Sequence, residues 1–182
     1  MDIIATGTKV RLREKRLPDA RNDYIWQTDP ELVELDAATV LLSSYHQYEL
    51  DYANSLHYAS PLRYAFAIDT FEGEHIGNCT CYDIDEPHGE AQLGIIIGNR
   101  QYWDKGYGVD AMNALVDYVL LNTRLTRLYL KTLDWNIRAQ TCFEKCGFKP
   151  CGRLYQDSYP FLVMELHRNQ WDKFERRRGQ TS

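Results

Sequence analysis

One stretch narrows the possible folds more than any other: an apolar run, Leu93 to Ile97, then Trp103-Asp104-Lys105-Gly106-Tyr107-Gly108, then a helical pattern opening at Val109. Strand, glycine loop and helix in that order build an anion site. A helix start presents four backbone N–H groups without intrahelical partners and the positive end of the macrodipole. Glycine lets the chain turn sharply and lets a ligand approach the backbone where a Cβ would obstruct it. A lone G-x-G also fits an ordinary strand-to-helix turn, so the loop by itself leaves both readings open.

Two further segments separate those readings. Asn136-Ile137-Arg138-Ala139 and Phe143-Glu144-Lys145-Cys146-Gly147-Phe148 follow at a distance that fits one intervening strand and the start of a second helix. Loop and segments together resemble the two signatures of the GNAT superfamily of acyl-CoA-dependent N-acyltransferases, R/Q-x-x-G-x-G/A and N-x-x-(S/A)-x-x-x-Y-E-K-x-G-F. The resemblance covers about Lys9 to His167, and its N-terminal third rests on element order alone. The Trp-x-Lys-Gly-Tyr-Gly loop is most similar to the Rim-type branch. That branch includes N-terminal acetyltransferases of ribosomal proteins and similar enzymes acting on polyamines, aminoglycosides or amino sugars.

The pattern along the chain gives a mixed α/β layout. Lys9 to Arg13 alternates as an opening strand, and Leu17-Pro18-Asp19 starts a helix that runs to about Thr28. Asp29-Pro30 interrupts it, and Ser43 or Ser44 caps a second helical region, Tyr45 to Tyr58. Arg63 to Asp69 and His75 to Asp83 form a hairpin about Glu72-Gly73-Glu74, and Glu90 to Ile97 is the next strand. After the loop, Met112, Leu115, Val116, Val119 and Leu120 fall at helical spacing. Arg127 to Thr132 (strand), Ile137 to Cys146 (helix), Lys149 to Tyr155 and Tyr159 to His167 (strands) complete the order. The resemblance implies a GNAT fold: a mixed, mostly antiparallel central sheet with a splayed strand pair and helices on both faces.

A chain of 182 residues without internal repeats or a linker-like composition shift reads as one domain, 1–182, with a core of about 9–167 and a tail of 168–182. Asp2 and the absence of a basic patch before a long apolar stretch predict neither signal peptide nor membrane span, hence a cytoplasmic protein. The formal charge of −5 argues against direct nucleic acid binding and is compatible with a cationic amine. Arg176-Arg177-Arg178 reads as a solvated end. Five cysteines, an odd number, read as reduced thiols. They lack a C-x-x-C pair or histidine cluster, and no histidine pair has ligand or triad spacing, so no metal is expected.

Carried over residue by residue, the resemblance implies acetyl-CoA as co-substrate. Its pantetheine arm would run along Ile95, Ile96 and Ile97, and its pyrophosphate would sit on the N–H groups from about Asp104 to Val109. Trp103 replaces the motif's opening Arg or Gln, a small loss where backbone amides carry the phosphates. Lys105 adds a point charge, or is a solvated lysine. Asn136 would reach the pantetheine arm, cap its helix, or both. Arg138 and Lys145 are candidates for the phosphate end, or plain helix-surface charges.

The chemistry is attack by a neutral amine on a thioester. An alkyl ammonium has a pKa of about 10.4 and must first lose a proton. Glu90, Gln92 and Gly94 alternate onto one strand face; Gln92 takes no proton, so Glu90 is the candidate base, the alternative being an exposed strand-end carboxylate. Amides near Ile96 or Ile97 would receive the oxyanion. The motif tyrosine that protonates the leaving sulfur is Phe143 here; Tyr155, Tyr159 or Tyr107 are substitutes, and Cys142 points elsewhere around its helix.

The acceptor, a small-molecule amine or a peptide N-terminus, would meet the first two helices and Asp83 to Gly89. Asp29, Glu31, Glu34, Asp36, Glu49 and Asp51 make that region acidic. Tyr45, Tyr48, Tyr52 and Tyr58 add rings able to hold an ammonium or to pack in a core. Two alternatives remain: a non-catalytic acyl-CoA sensor, and a P-loop protein, which would need a lysine and hydroxyl after the second glycine. A homodimer through the final strands is compatible with the pattern.

Overall fold

The computed structural model describes residues 2–58, 60 and 62–172, so the arginine run at 176–178 lies outside them. β1 (Ile3–Thr6) and β2 (Val10–Glu14) open the chain. A 3-10 turn at Leu17–Asp19 leads into α1 (Ala20–Thr28). Asp29 ends α1 and caps α2 (Pro30–Leu35), its carboxylate accepting from the N–H groups of Glu31 and Leu32. Ser44 caps α3 (Tyr45–His57) by accepting from Gln47. β3 (Tyr64–Thr70), β4 (His75–Asp85) and β5 (Glu90–Ile97) form a meander. α4 (Tyr107–Asn122), β6 (Arg127–Leu133), α5 (Ile137–Lys145), β7 (Lys149–Gln156) and β8 (Tyr159–His167) follow.

Three features depart from the sequence reading. β1 precedes the expected opening strand; four residues are too few to show an alternation. A further helix, α2, precedes the one expected at Tyr45 to Tyr58, because Asp29-Pro30 starts a helix as well as ending one. The core also continues past His167: residues 168–172 are helical, and Trp171 is buried with its indole N–H donating to Asp117 at 2.6 Å.

The strands form one sheet in the order β1-β2-β3-β4-β5-β6-β8-β7, antiparallel except where β5 meets β6. That parallel pairing is confined to Glu90–Arg127, Ala91–Leu128 and Gln92–Tyr129. Beyond it each strand keeps its outer partner: β5 stays on β4 as far as Ile97, and β6 stays on β8 as far as Leu133. This is the splayed pair, and the N–H and C=O groups along its inner edges need partners from elsewhere.

Alternation assigns the faces. Val10, Leu12, Phe66 and Ile68 turn to the side of α4, whose Met112, Leu115, Val116, Val119 and Leu120 are all buried in the same cluster. Arg13 and Asp69, one residue out of phase, turn to the other side, toward the turn before α1. There Asp23 of α1 accepts from Tyr52 of α3, Lys15 and Asn78, so helices and sheet are joined by satisfied polar groups. β7 forms the outer edge, where Lys149, Pro150 and a bulge oppose further strand addition.

Candidate active site

The gap between β5 and β6 opens into a cavity of about 800 Å³. Ile95, Ile96 and Ile97 form one wall and Leu130 and Leu133 the other. At its upper end stands the start of α4. Gly106, the N-cap residue, is left-handed at φ +84°, Asp104 is left-handed as well at φ 57°, and no side chain caps the helix. Asp104, Gly106, Gly108 and Val109 all line the cavity. A Cβ built on Gly108 would lie 3.5 Å from Cys142 Sγ and 3.7 Å from Ile97, ordinary contacts, so protein packing does not require glycine there. The open side of that backbone is what an anion can approach.

The loop is held from below by the β1–β2 turn. Asp110 accepts from the N–H and O–H of Thr8 (2.9 and 2.8 Å) and from the N–H groups of Lys9 and Val10 (2.8 and 3.0 Å). The Lys9 ammonium donates to the Lys105 carbonyl at 2.9 Å and lies over the Tyr107 ring. Neither Lys105 nor Tyr107 lines the cavity. The contact of Lys105 with the turn beneath the loop is through its carbonyl, and Tyr107 packs between Lys9 and the Tyr102 ring.

Trp103 donates its indole N–H to the Ile97 carbonyl at 2.6 Å, and the Arg138 guanidinium stacks 3.4 Å from its ring centre. Trp103 and Arg138 both line the cavity, so a guanidinium arrives from α5 where the motif supplies a polar side chain from the loop. Asn136 caps α5, accepting from Ala139 N–H at 3.2 Å, and also faces the cavity, which lets both expected roles coexist. Lys145 lines it too. Phe143 is buried edge-on to Phe148 at the wall and has no proton to give. Cys142, where the Cys146 hydrogen bond holds the thiol below its usual pKa against the effect of burial, sits beside Gly108 at the phosphate end.

At the other end, where β5 and β6 rejoin, Gln92 is buried and donates from Nε2 to the Tyr82 hydroxyl at 2.5 Å. Burial, with the fields of Asp83 and Asp36, pushes Tyr82 up to about 12. Tyr82 and Tyr102 are the tyrosines that line the cavity among the described residues, and Tyr102 donates to Glu74 instead. Asp36, Ala37 and Asp83 close this end. Asp36 is accessible, but from a cavity whose walls withdraw bulk water, and this loss of hydration pushes its carboxyl up to about 6.

Two catalytic expectations do not meet the cavity. Glu90 accepts from Arg127 Nη1 at 2.7 Å, with Glu165 on the same guanidinium, and it lies outside the cavity wall. Tyr155 is 74% exposed on β7, and neither it nor Tyr159 lines the cavity. Of the six N-terminal acids only Asp36 does so; Asp29 and Glu31, for instance, grip Arg100. Tyr45, Tyr48 and Tyr52 pack in a ring chain with Tyr24, and Tyr58 projects into solvent. Sequence reasoning passed over Tyr82, Lys9 and Asp110; Asp110, an acid in a helix first turn, was the one with a visible signal.

Among the described residues no group of three or more His, Cys, Asp or Glu is placed to hold a metal, and no helix is long and apolar enough to cross a membrane.

A family model for an acetyltransferase (GNAT) domain matches residues 9–149. The spermine/spermidine N(1)-acetyltransferase of Bacillus subtilis (strain 168) is 26% identical over 117 residues, 64% of this chain and 77% of that protein. Among solved structures, spermidine N-acetyltransferase from Vibrio cholerae in complex with CoA and spermine has a TM-score of 0.79 at 20% identity, over 89% of this chain and 97% of that one. Aminoglycoside acetyltransferase AAC(6')-Ib in complex with coenzyme A and kanamycin has a TM-score of 0.74 at 22% identity, over 90% and 98%. These similar proteins are of polyamine and aminoglycoside type and add nothing to the narrower Rim-type resemblance. The chain belongs to the GNAT family of acyl-CoA-dependent N-acetyltransferases.

Proposed function

We propose that the protein moves an acetyl group from acetyl-CoA to a primary amine of a small polycation by direct attack. The observation that carries this reading is the end of β5–β6 pairing at Gln92–Tyr129, with the glycine-capped start of α4 at the far end of the resulting gap. A pyrophosphate on α4 and a pantetheine arm bonded to the free edge of β5 would bring the thioester toward Gln92. The strand from Ile97 to Gln92 spans about 17 Å at the usual rise, a length suited to that arm.

At the thioester end the Tyr82 hydroxyl already accepts from Gln92, which leaves its own proton for the carbonyl oxygen or the departing sulfur. Tyr82 would thus serve where Phe143 cannot. Tyr82→Phe is expected to lower kcat by about 10²-fold with little change in KM for acetyl-CoA, read by steady-state kinetics. Asp36 and Asp83 make the acceptor end acidic, in keeping with the polyamine and aminoglycoside acceptors named for the similar proteins.

The test is a coupled thiol-release assay with spermidine, spermine, kanamycin, an amino sugar and an N-terminal peptide, alongside CoA binding by calorimetry. Amine-dependent release with the polycations supports the reading. Release with the peptide alone would favour the Rim-type acceptor. CoA binding without release would make the protein a non-catalytic sensor. Self-association through the final strands would use their faces, since the β7 edge is blunted.

A further inference from the structure

We propose that Asp36, at the C-terminal end of α2, is the group that removes the proton from the acceptor ammonium, so that the base of the reaction comes from the helical side of the cavity rather than from β5. The inference rests on the acetyltransferase reading above. It begins from the failure of the strand to supply a base. Glu90 is tied to Arg127 outside the cavity, and Gln92, the next residue on that face, has no proton affinity and spends its amide on Tyr82. A base must then come from another element that reaches the end where β5 and β6 rejoin.

Four carboxylates line the cavity among the described residues: Asp36, Asp83, Asp104 and Asp157. Asp104 stands in the glycine loop, at the phosphate end. Asp157, in the β7–β8 turn, accepts from Gln156 Nε2 at 3.1 Å. Asp83 occupies a left-handed position (φ 50°) in the irregular stretch of β4 and is exposed, as Asp36 is. Asp36 differs in having Leu32 and Leu35 of its own helix as cavity neighbours, and its field reaches the Tyr82 hydroxyl. The ionisable groups lining this end with it are Tyr82 and Asp83 of β4 and Lys131 of β6, while Asp157 lines the cavity from the turn beyond the Leu133 end of β6. Only loss of hydration shifts its carboxyl; no cation offsets that loss, which leaves it available to take a proton near neutral pH.

The R–NH3+ acceptor gives one proton to the Asp36 carboxylate, and the freed lone pair forms the N–C bond at the thioester carbonyl. The C–S bond then breaks with its electrons going to sulfur. The surplus proton on nitrogen reaches the thiolate by way of the Tyr82 hydroxyl, giving amide and free CoA thiol, and Asp36 returns its proton to water.

The test uses Asp36→Asn and Asp36→Glu in the full chain, with thermal melts and CoA calorimetry as folding and binding controls. For Asp36→Asn the expected result is a fall in kcat/KM of about 10²–10³-fold toward an alkylamine, with affinity for CoA unchanged. The acidic limb of the kcat/KM profile, near pH 6 in the wild type, is expected to vanish. With a weakly basic acceptor such as an arylamine or an acyl hydrazide, already neutral at pH 7, the loss should shrink to under about tenfold, and Asp36→Glu should restore part of the rate with the alkylamine. An unaltered pH profile, or an equal loss with the weakly basic acceptor, would make Asp36 a binding or structural group and overturn the proposal. If the wild type itself releases no thiol with any amine, it is the acetyltransferase reading that fails.

Discussion

At Gly106 the backbone is left-handed, and a Cβ there would meet nothing nearer than the end of the Lys9 side chain at 3.8 Å. Gly106→Ala therefore tests backbone strain with almost no steric component and is expected to cost about 1–2 kcal/mol in urea unfolding. Gly108 presents the opposite case. It lies inside α4 with ordinary space around it, so Gly108→Ala should leave stability unchanged or raise it by up to about 1 kcal/mol. The added methyl nevertheless occupies the surface on which a pyrophosphate would lie, and KM for acetyl-CoA should rise at least about tenfold. Stability and affinity moving in opposite directions in one variant would locate the anion site at Gly108.

Asp36 carries a stability signature of its own. Its folded pKa of about 6 stands above the ordinary 3.8, so the folded protein holds an extra proton between these values. Stability from this group falls as pH rises through that window and stays reduced above it. Asp36→Asn should raise Tm at pH 7 and leave it unchanged at pH 3.5. The exposure of the group keeps the gain below about 3 °C.

Among the elements, α4 and the β1–β2 turn behave as one unit, because a single carboxylate of the helix first turn receives four donors from the turn. Asp110→Ala should lower stability by about 2 kcal/mol, since the Thr8 and Lys9 N–H groups lie near the surface and recover water while that of Val10 is left partly buried. It should also raise KM for acetyl-CoA while leaving KM for the amine alone, a split that steady-state kinetics reads directly. The elements from β3 onward are legible in the sequence because their periods of two and 3.6 are local. The phosphate end is legible for the same reason: glycines, cap and helix are contiguous. The acyl end is not. Asp36 and Tyr82 come from α2 and β4, and only the sheet brings them together; no spacing rule links them. Glu90 looked suitable because alternation puts it in phase with Gln92, but alternation cannot show that the parallel register sets it opposite Arg127.

Across the whole molecule, the cavity lies between strands whose positions depend on a polar cluster near the other end of the sheet. Arg13, 2% exposed, donates to Asp69 at 2.6 and 2.9 Å and to Asp19 at 2.7 and 2.8 Å, joining β2, β3 and the turn before α1. Burial alone would raise the Asp19 carboxyl, but the Arg13 hydrogen bonds outweigh it and hold the group below its ordinary value. Its contribution to stability is therefore complete above about pH 3.8 and is lost as pH falls through the lower folded value. Arg13→Met fits the volume and removes the cation, leaving two buried carboxylates uncompensated, at a cost of about 3–5 kcal/mol. For a chain of this size that is a drop in Tm of about 10 °C or more by calorimetry. None of the three residues lines the cavity, so kcat measured well below the new melting point should match the wild type. A variant that melts early but turns over normally would show that the sheet needs the cluster only to stay folded. A proportional loss of kcat in folded protein would show instead that the cluster sets the β5–β6 gap from across the sheet.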